Sequence, residues 1–143
     1  MSVIGQPVHR VDALGKVTGK TLYPGDIRLP GMVHMKILFA RRPHAIVRRL
    51  DVSTAEAMPG VLAVFTAKDV PVNEYGLIIP DQPVLCGPGS GKAYADHVRF
   101  IGDQVAVAVA ESEAIAAEAL KRIVAEYDDL PVVTDPLEAM KDG

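Results

Sequence analysis

The 143 residues are enough for one domain with its own core, and 49% hydrophobic against 23% charged residues is the balance of a soluble globular chain. A formal net charge of −3 argues against a nucleic-acid partner and gives no attraction to an anionic membrane. The single cysteine, Cys86, cannot form an intramolecular disulfide, an iron–sulfur site or a cysteine-based zinc site.

Along the chain, residues 1–20 mix Gly, Pro and charge without period and are expected to form an extended arm, part of a single domain over 1–143. The start, Met-Ser-Val-Ile-Gly-Gln-Pro-Val, has no basic segment followed by an apolar one, so no secretory signal is expected and a cytoplasmic address is the default. Tyr23-Pro24-Gly25-Asp26 and Leu29-Pro30-Gly31 carry turn chemistry, with strands expected between and after them. In Val33–Phe39 the residues Val33, Met35, Ile37 and Phe39 alternate, which predicts a half-buried strand with these on one side. A second strand is expected over Ala45–Val52, and the two are read as a first hairpin.

Ser53–Met58 predicts a short helix capped by Ser53, with Glu56 three residues on and Pro59-Gly60 as its stop. Val61–Thr66 has the look of a fully buried strand. Residues 71–93, rich in Pro and Gly, form a long segment without period, of the kind that is functional or an interface element. Val98–Ile101 and Gln104–Ala110 are expected to pair as a hairpin across Gly102-Asp103. Ser112 caps a helix whose face is Ile115, Ala119, Leu120 and Ile123; a strand through Val124 and Tyr127 follows. Pro136 opens a last short helix over Leu137–Met140. The order is β-β-α-β-loop-β-β-α-β, and the fold class is α+β (mixed α/β).

The chemistry that spacing alone suggests is thin. His9, His34, His44 and His97 stand singly, without a second ligand at helical spacing, so no metal residue is assigned. Gly87-Pro88-Gly89-Ser90-Gly91-Lys92 lacks phosphate-loop spacing and is followed by Ala93; a mobile surface loop is the better reading. Arg41, Arg42, His44, Arg48 and Arg49 form a basic patch that could hold a phosphate, or, by preference, face a neighbouring acidic surface. Asp51 and Asp69 have no partner carboxylate placed for acid/base work, and no serine sits in a nucleophile elbow. Cys86 has no flanking base and is read as a buried, unreactive thiol.

Five blocks in order resemble one family. They are Arg10–Lys20 with Tyr23–Ile27; Arg42-Pro43-His44-Ala45 leading to Asp51-Val52-Ser53; and Ala57–Val61 with Val64–Val70. The last two are Asp81–Leu85 with Val98–Gly102 and Val105–Val107, and Ala117–Leu120 through Glu126–Pro131. The chain is similar to the start of the large, molybdenum-binding subunit of xanthine dehydrogenase/aldehyde oxidase-type enzymes. The resemblance implies an α/β-hammerhead fold, in an N-terminal structural and assembly domain. It also implies a parent enzyme whose molybdopterin (Mo) cofactor hydroxylates an aldehyde or aromatic heterocycle, electrons passing to iron–sulfur clusters and FAD on partner domains or subunits.

The partners so implied are the remainder of the molybdenum subunit and the iron–sulfur and flavin domains or subunits. In that family the cofactor-contacting segments and the late glutamate base lie downstream of the hammerhead. No catalytic, cofactor-binding or metal residue is therefore carried onto this sequence, and this chain alone is expected to be inactive. Arg42 stands where many relatives have Ser, and Gln104 where Pro is frequent, which leaves subfamily and substrate open. The stop at Lys141-Asp142-Gly143, in a charged segment without a closing element, fits a fragment of a longer product. The alternative is a stand-alone hammerhead binding or assembly module without redox activity.

Overall fold

The fold was obtained as a computed structural model that describes residues 4–141. The first three residues of the expected arm, and Asp142 and Gly143, lie outside the described residues. By contacts the chain divides into two units, one ending at Met32 and one beginning at Val33.

In the first unit the expected arm holds one turn of helix, α1 (Ala13–Val17). The sequence reading missed it because a single turn shows no period. Local bonds hold it instead: Lys16 pairs with Asp12 at 2.8 Å, and the Thr18 hydroxyl donates to the Leu14 carbonyl at 2.6 Å. Both turn predictions hold. Pro24–Asp26 is a 3-10 turn closed by Tyr23 N–H donating to the Asp26 carboxylate at 3.0 Å, and Met32 N–H donates to Leu29 O across Pro30-Gly31. No strand lies between them. None of the described residues of this unit is buried.

The second unit carries β1 (His34–Phe39), β2 (Ala45–Asp51), α2 (Ser53–Glu56), β3 (Val61–Thr66), β4 (His97–Val98), β5 (Gln104–Ala110), α3 (Glu113–Lys121), β6 (Val124–Asp129) and α4 (Pro136–Ala139). This is the predicted order, but two of the predicted pairings are absent. Sheet one runs β1-β5-β3 and sheet two runs β4-β2-β6, every neighbouring pair antiparallel. So β1 and β2 are not a hairpin, and neither are β4 and β5. The turn between β4 and β5 carries the chain from one sheet to the other. The Asp103 carboxylate accepts the N–H groups of Arg99 (2.6 Å) and Phe100 (3.3 Å) and folds the corner.

Two cores follow from this layout. Val52, Ala55, Val64, Ala106, Ala108, Ala119 and Ile123 fill the space between sheet one and the helices α2 and α3. Ala40, Ala45, Val47, Cys86, Val98 and Val105 form the second core. Alanine dominates the first, so α3 can lie close to the sheet; each fully buried valine contributes on the order of 1.5 kcal/mol or more. Val105 reaches the second core through a bulge: Leu38 faces Ala106 and Phe39 faces Gln104, leaving Val105 as the extra residue on β5.

Three local expectations need correction. Ser53 is the first residue of α2 and does not cap it; the Asp51 carboxylate accepts its N–H (3.1 Å) and hydroxyl (2.6 Å), a shorter route from the strand end. On β1 the apolar set Val33, Met35, Ile37 and Phe39 does share one side, but that side is the open one and not the core. Leu38 and the following Ala40 pack inward, whereas Val33, Met35 and Phe39 are exposed. And β3 is not fully buried: Leu62 is the extra residue of a bulge and Phe65 faces the open side of the sheet, and both are exposed. The cap of α3 is as predicted, Ser112 Oγ accepting from Ile115 N–H at 3.2 Å. Gly60 ends the α2 turn with φ at +82°, and a Cβ there would lie 2.7 Å from the Ile115 side chain.

Candidate functional site

The basic patch is built from β2 and the segment before it, and its partners come from β6 and from Asp51 at the end of β2 itself. Arg49 pairs with Asp51 (3.1 Å) and Glu126 (3.3 Å), Arg48 pairs with Asp128, and Arg42 reaches Asp129 at 3.4 Å while lying 5.5 Å over the Tyr127 ring. A bulge makes this possible. Val47 faces Tyr127 and Arg49 faces Glu126, so Arg48 is the extra residue and two consecutive arginines stay at the surface. The His44 ring bonds the Pro131 carbonyl through Nδ1 at 2.7 Å. The acidic surface expected from a neighbour is thus the chain's own β6. Ser53 holds the Asp51 carboxyl below the usual carboxylate range, first through its hydroxyl and then its N–H. That supports the helix start and makes Asp51 a poor base.

The segment 71–93 is pinned at its base rather than loose. Asn73 is buried, its amide donating to Leu85 O (2.8 Å) and accepting from Leu85 N–H (2.9 Å). Above this clamp Tyr75 and Gln82 exchange two backbone hydrogen bonds, of 2.7 and 3.0 Å. The turn they enclose needs Gly76, where a Cβ would fall 1.8 Å from the Ile79 carbonyl oxygen. Leu77 (96% exposed) and Ile78 (94%) stand at its tip. The glycine-rich run is tied down as well. Ser90 Oγ accepts from the Asn73 amide (3.0 Å) and from Lys92 N–H (3.2 Å), and Lys92 Nζ is bound by Pro80 O (3.2 Å) and Glu74 (3.4 Å). The run is a surface loop held by these bonds, and the lysine that would neutralise a phosphate already has partners.

Cys86 is 1% exposed in the second core, and burial pushes its thiol up to about 12. Such a thiol stays protonated and carries no nucleophile at neutral pH. His97 bonds Asp96 at 2.9 Å and meets the Tyr94 ring edge-on. Among the described residues no three His, Cys, Asp or Glu side chains converge as a metal site. No helix of the described residues is long and apolar enough to cross a membrane.

One surface stands out by its chemistry. On the side of sheet one away from α3, the register aligns Met35, Val109 and Ala63 in one row and Ile37, Val107 and Phe65 in the next. Met35 is 60% exposed and Phe65 45%, and the other four are half-buried. A shallow groove of about 530 Å³, lined by Phe39, Arg41, Ile101 and Gly102, is set at the Phe39 end of β1. Sequence reasoning placed these strands but missed this face. A signal was present: Val105–Ala110 is apolar at every position, the pattern of a strand covered on both sides.

Comparison with known proteins places this geometry among relatives. The description "Aldehyde oxidase and xanthine dehydrogenase, a/b hammerhead domain" matches residues 18–131. A probable xanthine dehydrogenase subunit from Bacillus subtilis (strain 168) is 43% identical over 141 residues, covering 97% of this chain and 18% of its own length. The crystal structure of quinoline 2-oxidoreductase from Pseudomonas putida 86 superposes with a TM-score of 0.82 at 34% identity, over 98% of this chain and 18% of the other. That of the Cu,Mo-CO dehydrogenase gives 0.83 at 33% identity, over 96% and 17%. The chain thus spans less than a fifth of the length of each of these three proteins.

Proposed function

Since this chain belongs to the aldehyde oxidase and xanthine dehydrogenase family through its a/b hammerhead domain, we propose that it is the N-terminal structural and assembly domain of a molybdopterin-dependent oxidoreductase. The observation that carries this is coverage: 97% of this chain aligns with only 18% of its Bacillus subtilis relative. In this reading residues 1–143, arm included, form one hammerhead domain. The parent enzyme hydroxylates aldehydes or aromatic heterocycles. Its partners are the remainder of the molybdenum subunit and the iron–sulfur and flavin domains or subunits, and its address is cytoplasmic.

Among the described residues, the groups that the sequence singled out are already engaged, which supports placing the molybdenum named for the CO dehydrogenase relative elsewhere in a parent enzyme. The one thiol is buried and held protonated, Lys92 is bound by Glu74 and Pro80, and the Asn73 amide is bound by Leu85 and Ser90. None of these is left to ligate a metal or cradle a pterin. We therefore assign this chain no catalytic, cofactor or metal residue, and the hydroxylation belongs to the rest of the parent.

The mass of the native polypeptide that carries this sequence tests the proposal. A product several times 15.3 kDa that holds molybdenum is the expected result. A native product of 15.3 kDa would replace the proposal with a stand-alone hammerhead module.

A further inference from the structure

Exposed apolar side chains are ordinary when scattered, but a contiguous apolar patch marks a contact surface. The open side of sheet one is contiguous by its register. Two cross-strand rows, Met35–Val109–Ala63 and Ile37–Val107–Phe65, contain no polar or charged residue. Across the same three strands the other side is finished. Leu38, Val64, Ala106 and Ala108 lie under the helices, and Lys36 closes the edge of α3 through Glu113 at 2.5 Å. The central strand β5 is apolar toward both sides from Val105 to Ala110, yet α3 covers only one of them.

We infer that the open face of sheet one is the surface on which the remainder of the large molybdenum subunit packs, an apolar segment lying across Met35, Ile37, Phe65, Val107 and Val109. This rests on the proposed parent subunit and deepens it by naming the contact. The occupant is argued from size. The same fold is found within chains of which it forms only 17–18%, so a covering segment is available from the other four-fifths of such a chain. It is argued also from chemistry. The face offers shape and hydrocarbon and no charge pair, so the matching segment presents aliphatic and aromatic side chains. Met35 adds an adaptable thioether. The groove at Phe39 and Ile101 takes one larger side chain, and Arg41 at its rim keeps that end wet.

Hydroxyl-radical footprinting of the native protein tests the assignment, with each residue's oxidation compared with the same polypeptide unfolded in urea. On an uncovered face Met35, Phe65 and Phe39 keep roughly half of the unfolded rate, following their 60%, 45% and 41% exposure. The expected result is a native mass several times that of this chain, with all three lowered to the background set by buried Val47 and Val98. The same large mass with all three at half rate would overturn this inference and leave the parent-subunit reading intact. A native particle of two 15.3 kDa chains with the three residues protected would give the face to a second copy and overturn both. A 15.3 kDa monomer with the face reactive would also overturn both.

Discussion

The two sheets have three strands each and opposite surfaces. Sheet two turns Arg48, Arg49, Glu126 and Asp128 outward and pairs them among themselves. Sheet one turns Met35, Phe65 and their neighbours outward and leaves them without cover. The charged face is complete in this chain alone, because each ion has a partner and water around it. The apolar face is not, since bare hydrocarbon in contiguous rows gains free energy only when something excludes water from it. Exposure alone does not tell a finished surface from an interface; the chemistry of what is exposed does.

The largest effect is expected where the two sheets share a residue. Val105 belongs to β5 of sheet one, but its bulge places it in the second core with Val47, Cys86 and Val98. Val105→Asp puts an unpaired carboxylate there, and a loss of about 4 kcal/mol or more is expected in urea unfolding, enough to unfold a marginal domain. Retained stability would mean that the sheets are not joined at this bulge.

Phe65→Asp separates the two kinds of exposure. The side chain faces out from an edge strand, so the isolated chain should lose less than about 1 kcal/mol. Association of this chain with the separately produced remainder of the subunit, read by titration, should weaken by about 30-fold or more, the scale of losing an aromatic anchor. Full assembly by the variant would remove the difference drawn between the two faces.

The same contrast explains what could be read from sequence. Elements whose signals are local were legible. Ser112 before Ile115–Ile123 gave α3, Pro136 after Asp135 gave α4, and the order of strands followed from apolar runs. The pairings were not, because they join residues far apart: Arg48 to Asp128 is 80 residues, Arg42 to Asp129 is 87. Hence the basic patch looked unpartnered. The sidedness of β1 failed for another reason. Val33, Met35, Ile37 and Phe39 alternate with the polar His34 and Lys36, and the sequence reading sends the apolar set inward. Here the inner side is set by the alanine-rich contact of β5 and α3, against which Leu38 packs, and the alternating apolar set is left on the open face. The segment 71–93 looked unstructured because its order comes from scattered bonds around buried Asn73, such as Tyr75 with Gln82 and Ser90 with Lys92, which carry no period. The open face stayed hidden because its rows exist only once β1, β5 and β3 are set in register.

The smallest effect is expected on sheet two. Arg48 and Asp128 are both more than half exposed, so their pair is solvated and screened. Arg48→Ala should cost about 0.5 kcal/mol in urea unfolding at low salt. The difference should fade near 1 M salt, where the screening length is about 3 Å. Assembly should not change, because on this reading the charged face meets water. A small stability change with intact assembly would place the ion-pair ladder among the features that finish the chain's own surface. If Arg48→Ala instead weakened assembly more than Phe65→Asp, the contrast would be reversed. The charged face would then be the one that meets the rest of the subunit, with the β2–β6 pairs opening to exchange partners across that contact.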